Sequence, residues 1–226
     1  MMRTVARGPV TLVWQNQRGG LTGRVEVPEP LFLKWNPAGS PENLAAEAER
    51  MYWLQGRHPA PDVVDLVSAG DGDLLVTRAL PGLSAVDEYW RARPRQAIRA
   101  LARGLRTLHE LPVDECPFSW DVSSRVASAE RSVPDRLRTP PPIDRAVVCQ
   151  GDPCAPNTLL DAAGDFLAHV DVGRLGVADR WADLAVITMS LGWNYADPDE
   201  ELFWEAYGVS PDTERIDYYR ALSEAT

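Results

Sequence analysis

The sequence predicts an α+β protein with two lobes: a small antiparallel β-sheet lobe with one helix, then a mainly helical lobe. Strand-length apolar segments with tight turns come first, helical periodicity dominates afterwards, and Ala79-Leu80-Pro81-Gly82 breaks the chain between them. The 226 residues, 45% of them hydrophobic, suffice for a sizeable core. We therefore expect lobes over residues 1–78 and 83–226, joined by a hinge at 79–82.

The first lobe is expected to contain five strands and one helix. The strands are predicted at Val10–Trp14, Leu21–Val27, Leu31–Trp35, Val63–Val67 and Leu74–Arg78. Between the third and fourth strands, Ser40 is the expected N-cap of the helix, Pro41 its first residue and Gly56 its end. The helical period places Glu47 on the apolar face, where a carboxylate needs a cation or hydrogen-bond donors.

The second lobe is expected to contain five helices around a strand–loop–strand block. The helices are predicted at Pro94–Glu110, Trp120–Ser132, Asp183–Leu191, Asp199–Tyr207 and Asp212–Ser223. The block consists of a strand, a polar loop and a hairpin, at Ala146–Cys149, Gln150–Asn157, Thr158–Leu160 and Phe166–Val170. Asp171 follows the hairpin directly.

The charge pattern limits the possible partners. The 33 acidic and 23 basic residues give a net charge of −10, so we expect no nucleic-acid partner. Between Asp179 and Thr226, eleven acidic residues face three arginines, which is either a solvated surface or a field that attracts a cationic ligand. The sequence has neither a membrane-length apolar run nor a secretory signal, so we expect a cytoplasmic protein with no membrane partner. No obligate protein partner is inferred.

Carboxylate and amide side chains follow the strand ends of the strand–loop–strand block. Asp152 and Asn157 flank the polar loop, and Asp171 ends the hairpin, so we expect these three side chains to meet. Such oxygen ligands suit Mg²⁺, which binds few protein ligands together with phosphate oxygens and water. Lys34, the one lysine beside 22 arginines, can hold phosphates as a point charge, and Glu47 can hold Lys34.

Other catalytic motifs are missing from the sequence. Lys34 does not belong to a Gly-Lys-Ser/Thr loop, and no G-x-G-x-x-G follows a strand. The segment Gly82–Val86 lacks the second glycine of a nucleophile elbow. P-loop, dinucleotide-binding and serine-hydrolase chemistry are therefore not favoured.

Two long motifs of the second lobe resemble the aminoglycoside O-phosphotransferases, and the 3'-phosphotransferases in particular. They span Val148–Asn157 and Val170–Ala185, and Leu108–Pro112 with Cys116–Phe118 adds to them. The resemblance covers nearly the whole chain. It implies a protein-kinase-like bilobal fold and ATP and Mg²⁺ as cofactors. The implied reaction transfers the γ-phosphate to a hydroxyl of a small cationic aminoglycoside antibiotic and so inactivates it.

The resemblance also implies which residues bind the nucleotide and metal. Lys34 would contact the α- and β-phosphates, with Glu47 as its ion-pair partner. Thr77 and Ala79 would present backbone groups of the hinge to adenine. Magnesium would be bound by Asn157 and Asp171.

For the acceptor side, the resemblance makes Asp152 the base for the acceptor hydroxyl. Asp179 and Asp183 would hold the catalytic loop in a structural role. Arg174 would line the acceptor site. Glu224 is either an amine contact there or a solvated terminal acid.

The sequence departs from the family pattern in three places. Gln150 stands where the catalytic motif of the family begins with His, the segment Ser128–Pro142 is short, and the acidic C-terminus is only partly kept. Two alternatives follow from these departures. One is a kinase of another small alcohol or antibiotic, and the other is a catalytically impaired protein that binds nucleotide or ligand.

Overall fold

The chain forms two compact units, Met1–Pro81 and Gly82–Thr226, in a computed structural model that describes Met2, residues 8–26 and residues 29–226. The break between the units falls within the segment 79–82. Val27, the expected end of the second strand, lies outside the described residues. In the part of the chain that is described, no helix has the length and apolar character needed to cross a membrane.

The first unit contains the predicted five-stranded antiparallel sheet, in the order β1-β2-β3-β5-β4. The strands are β1 (Thr11–Gln15), β2 (Leu21–Val25), β3 (Leu31–Pro37), β4 (Val63–Ala69) and β5 (Gly72–Arg78). A small apolar core forms on one face of the sheet, from Val25, Leu33, Leu74 and Val76. Because β3 is central, its Lys34 lies opposite Thr22 on one neighbour and Leu75 on the other.

Helix α1 (Leu44–Leu54) buries the predicted apolar face, which carries Leu44, Ala48, Met51 and Leu54. Glu47 is buried on this face, as the periodicity predicts. The predicted start is wrong, because Asn43 rather than Ser40 is the N-cap. The Asn43 side chain accepts a hydrogen bond from Ala46 N (3.0 Å), whereas the Ser40 hydroxyl accepts one from Glu42 N in the preceding turn.

The second unit contains six α-helices, one more than predicted. They are α2 (Glu88–Arg91), α3 (Pro94–His109), α4 (Val122–Ser128), α5 (Trp181–Asn194), α6 (Glu200–Tyr207) and α7 (Thr213–Ala225). Helix α5 is mostly buried up to Leu191, and α3 packs on α6 while α5 packs on α7. Helix α4 ends at Ser128 and not at the predicted Ser132, because Ala129 has extended backbone angles (φ −66°, ψ 132°).

Two small sheets carry the functional loops of the second unit. One pairs β6 (Leu83–Ser84), β8 (Thr158–Leu160) and β9 (Phe166–His169), and the other pairs β7 (Ala146–Cys149) with β10 (Gly176–Asp179). Strand β10 is absent from the sequence prediction. Its antiparallel register sets Gly176 opposite Cys149 and so brings the loop after β7 beside the segment before β10. The predicted α+β class is confirmed.

Candidate active site

A salt bridge joins β3 and α1 in the first unit. Lys34 Nζ lies 2.9 Å from Glu47 Oε2, with 23% of the lysine side chain and 5% of the glutamate side chain exposed. Because the carboxylate is buried, it is poorly screened and fixes the position of the ammonium group. The predicted pairing is observed, while the contact of Lys34 with a nucleotide stays a prediction.

Thr77 and Ala79 lie at the end of β5. Thr77 is buried between Phe32 of β3 and Val63 of β4. The Ala79 N–H donates a hydrogen bond to the Pro30 carbonyl at 3.0 Å. An adenine contact through this N–H would therefore replace an existing hydrogen bond, and the role of both residues stays a prediction.

Gln150 is the central hydrogen-bonding residue of the polar loop Gln150–Asn157 in the second unit, the loop that the resemblance makes the catalytic loop. Its side chain is fully buried and bridges two segments of backbone. Gln150 Oε1 accepts from Asp152 N (2.6 Å), while Nε2 donates to the carbonyls of Val170 (3.0 Å) and Asp171 (3.3 Å). The Gln150 amide thus joins Asp152, the expected base, to Asp171, an expected metal ligand. Although the family motif has His at this position, Gln150 supplies both a donor and an acceptor to the loop.

Asp183 holds the start of this loop through hydrogen bonds. Its carboxylate on α5 is fully buried and accepts from Gln150 N (2.6 Å) and Gly151 N (3.0 Å). His109 Nε2 lies 3.1 Å from the same carboxylate, and His109 Nδ1 lies 2.8 Å from the Tyr207 hydroxyl. Since a carboxylate only accepts, Nε2 carries a proton, and burial raises the pKa of Tyr207 to about 12, so that the hydroxyl stays protonated.

Asp179 does not share this function. Its carboxylate accepts from Asp144 N (3.0 Å) and Trp181 N (3.2 Å), so it stabilises the start of α5. Burial raises the pKa of Asp179, which reflects its desolvated position. The expectation that both acids hold the catalytic loop is thus met by Asp183 alone.

One side-chain and one backbone hydrogen bond link the segments that carry Asp152, Asn157 and Asp171. Asn157 Nδ2 donates to the Asp152 carbonyl (2.9 Å), and Val170 N donates to the Asn157 carbonyl (2.9 Å). Asp171 adopts a positive φ of 56°, a strained conformation for a residue with a side chain and one that is typical of functional sites. These bonds bring the backbone of the three residues together, and the meeting of their side-chain oxygens stays a prediction.

The predicted acceptor-site residues differ in how the structure places them. Arg174 is exposed, and its carbonyl packs against Gly151, where a Cβ atom would lie 2.3 Å from that oxygen. Gly151 also has a φ of +88°, so only glycine fits between the catalytic loop and Arg174. Glu224 is exposed near the end of α7, and no hydrogen bond or salt bridge among the described residues joins it to the catalytic loop.

Sequence reasoning misses the residues that support the loop from other helices. His109, Tyr207 and Ser190, whose hydroxyl accepts from Ala155 N at 2.9 Å, are such residues. His109, Cys149 and Asp183 also place possible metal ligands within 4.8 Å of one another. The ligand atoms of this trio already have partners, because Cys149 Sγ donates to the Asp179 carbonyl and burial raises the pKa of its thiol well above the usual value. We therefore assign these three side chains a structural role.

We expect Gln150→Ala to lower kcat by about 10- to 100-fold, because Asp152 N and the Val170 carbonyl both lose their partner. Gln150→His retains a donor and an acceptor and should keep kcat within about tenfold of wild type. Steady-state kinetics of both variants test this. A gain of more than about tenfold in the histidine variant would show instead that Gln150 impairs the enzyme.

Comparison with known proteins places the chain in a family. The sequence profile of the phosphotransferase enzyme family matches residues 18–138. An aminoglycoside 3'-phosphotransferase of Streptomyces fradiae is 36% identical, over 90% of this chain and 88% of the relative. The chain belongs to the phosphotransferase enzyme family. A streptomycin 3''-kinase of Streptomyces griseus is 34% identical to the present chain, over 86% of the chain and 84% of the kinase.

Solved structures share the fold of this phosphotransferase. An aminoglycoside 3'-phosphotransferase of type VIII has a TM-score of 0.82 at 30% identity, with 100% of this chain and 97% of that chain covered. The aminoglycoside phosphotransferase APH(3'')-Id of Streptomyces rimosus, in complex with ADP and streptomycin, has a TM-score of 0.77 at 27% identity, with 100% and 95% covered. The predicted family and its kinase-like fold are confirmed.

Proposed function

We propose that this phosphotransferase moves the γ-phosphate of ATP to a hydroxyl of an aminoglycoside. The observation that carries the proposal is the set Asp152, Asn157 and Asp171, which Gln150 and Asp183 fix in one loop system. The relatives that act on aminoglycosides support the substrate class. The ADP in a homologous structure supports the nucleotide. Because ATP is the phosphate donor, we assign the reaction to the cytoplasm.

Asp152 acts as the general base in this reaction. The acceptor oxygen forms a bond to the γ-phosphorus, the bond from that phosphorus to the bridging oxygen of ADP breaks, and the hydroxyl proton passes to the Asp152 carboxylate. Asp152 is half-buried, and its backbone is held at both N and O by Gln150 and Asn157. These two contacts do not use the carboxylate, which hydrogen-bonds with the Cys154 thiol.

The donor atoms beside Asp152 fit Mg²⁺. Asn157 uses its Nδ2 for the Asp152 carbonyl, so its Oδ1 is the atom it offers to a cation, and the exposed Asp171 adds a carboxylate. Hard oxygen donors of this kind are those that Mg²⁺ prefers. When bound, the ion neutralises charge on the phosphates. Asn157 and Asp171 would hold it.

In the first unit, we propose that Lys34 binds the nucleotide phosphates and Glu47 orients it. Lys34→Met should weaken ATP binding by about 10- to 100-fold, because a charge-assisted hydrogen bond is lost. Glu47→Gln keeps the cation and should weaken binding less. Nucleotide titration by calorimetry measures both effects. Equal ATP affinities in wild type and Lys34→Met would contradict the assignment.

The acidic C-terminal part of the chain supports a polycationic acceptor, with Arg174 and Glu224 as proposed contacts at its site. A coupled assay of ADP release should compare several aminoglycosides with neutral alcohols and an uncharged antibiotic. Stimulation by aminoglycosides alone is the expected result. ADP release with neutral alcohols and none with aminoglycosides would instead favour a kinase of another small alcohol.

A further inference from the structure

A buried arginine in the second unit lacks the partners that a buried charge needs. Arg125 lies on α4 and is only 3% exposed. Its Nη2 donates to the Thr226 hydroxyl at 3.1 Å, but Nε and Nη1 have no hydrogen-bond partner among the described residues. Burying unsatisfied donors of a cation is costly, so such a group points to a missing acceptor.

No carboxylate in the described part of the chain fills this gap. The buried acid that acts on Arg125 electrostatically is Asp183, whose two oxygens already accept from Gln150 N, Gly151 N and His109. Burial, and then the positive charge of Arg174, lower the pKa of the Arg125 guanidinium to about 10. Arg125 is therefore still a cation at neutral pH.

Trp120 lies beside both arginines and adds a further donor. The guanidinium carbons of Arg125 and Arg174 are 5.0 and 5.7 Å from the centre of the Trp120 ring. Trp120 Nε1 is also buried without a hydrogen-bond partner among the described residues. The three side chains offer only N–H donors, and two of them are like charges that repel one another. This composition favours an anion as the missing component.

We propose that Arg125, Trp120 and Arg174 form a subsite for an oxyanion, either a free phosphate ion or the carboxylate of a small organic acid. Arg125 is the buried anchor, and the exposed Arg174 is the outer side chain. The subsite adjoins the catalytic loop, because the Arg174 carbonyl packs against Gly151. Arg174 also lines the proposed acceptor site, so the subsite rests on the proposed function for that residue, whereas a titration with phosphate needs no acceptor.

Calorimetric titration of the full chain with sodium phosphate, at constant pH and ionic strength, tests the proposal. Wild type and Lys34→Met should bind phosphate equally, because the subsite lies outside the proposed nucleotide contacts. Arg174→Gln should weaken binding at least about tenfold, and Arg125→Gln should abolish it. Arg99→Gln, which changes an exposed arginine of α3, is the matched control and should bind as wild type does. A parallel titration with sodium acetate distinguishes a free phosphate ion from a carboxylate as the preferred ligand.

Several results would overturn the proposal. These are no binding of either anion to wild type, loss of binding in Lys34→Met but not in Arg174→Gln, and unchanged binding in both arginine variants. If Arg125→Gln fails to fold, Trp120→Phe replaces it, because it keeps the ring and removes the Nε1 donor. Unchanged phosphate affinity in both Trp120→Phe and Arg174→Gln would then refute the subsite.

Discussion

An Asp152→Asn variant is expected to lose about 10²- to 10⁴-fold in kcat, the range that a positioned general base contributes. The carboxamide has nearly the same shape but cannot accept the hydroxyl proton. The backbone N and O of this residue keep their hydrogen bonds in the variant, and the amide oxygen can still accept from the Cys154 thiol, so the loop should keep its conformation. Steady-state kinetics should show the loss in kcat, and calorimetry should show an ATP affinity within about twofold of wild type.

Asp165→Asn is the matched control for this experiment. Asp165 is an exposed acid of the β8–β9 turn in the same unit, and neutralising it changes the net charge by the same amount. Its kcat should equal that of wild type. If Asp152→Asn keeps a kcat within about threefold of the control, Asp152 is not the base.

The second large effect is expected from Asp183→Ala. The change removes the acceptor of Gln150 N, Gly151 N and His109 Nε2 in a fully buried place. Leaving such donors unsatisfied should lower the free energy of unfolding by about 3–5 kcal/mol. We expect a loss of kcat as well, because the same bonds fix the catalytic loop. Urea unfolding and kinetics on the folded protein measure the two effects separately.

Asp179→Ala separates stability from positioning. Asp179 is also buried and also accepts from two backbone N–H groups, but these belong to Asp144 and Trp181. The Asp179→Ala change should lower the free energy of unfolding while leaving kcat of the folded fraction nearly unchanged. Equal kcat values in the Asp183 and Asp179 variants would show that Asp183 contributes to stability only.

Local patterns in the sequence predict the position of a site residue where a helical period or a strand end fixes it. The helical period places Glu47 on the buried face of α1, and the salt bridge with Lys34 follows from it. The loop after β7 and the end of β9 are joined by hydrogen bonds of Asn157 with Asp152 and Val170, as their places at strand ends predict. Local chemistry also misleads, since Ser40 and Asn43 are both good N-caps and the tertiary fold uses the second.

The remaining features depend on contacts between distant segments. Asp183 contacts His109 and Gln150 because α5 packs against the loop that begins at Gln150. No local spacing in the sequence predicts this contact. Strand β10 has four residues and forms through its pairing with β7 and a bridge from Val177 to Ser119, so both of its partners are distant in the sequence. The unsatisfied donors of Arg125 are likewise visible only once α4 is packed.

The most direct test of the proposed activity is the fate of the phosphate after reaction of the wild-type chain with ATP, Mg²⁺ and an aminoglycoside. Phosphorus NMR and mass spectrometry of the products should show a phosphate monoester on a hydroxyl of the aminoglycoside, formed in equal amount to ADP. Inorganic phosphate together with an unmodified aminoglycoside would contradict phosphoryl transfer by this site.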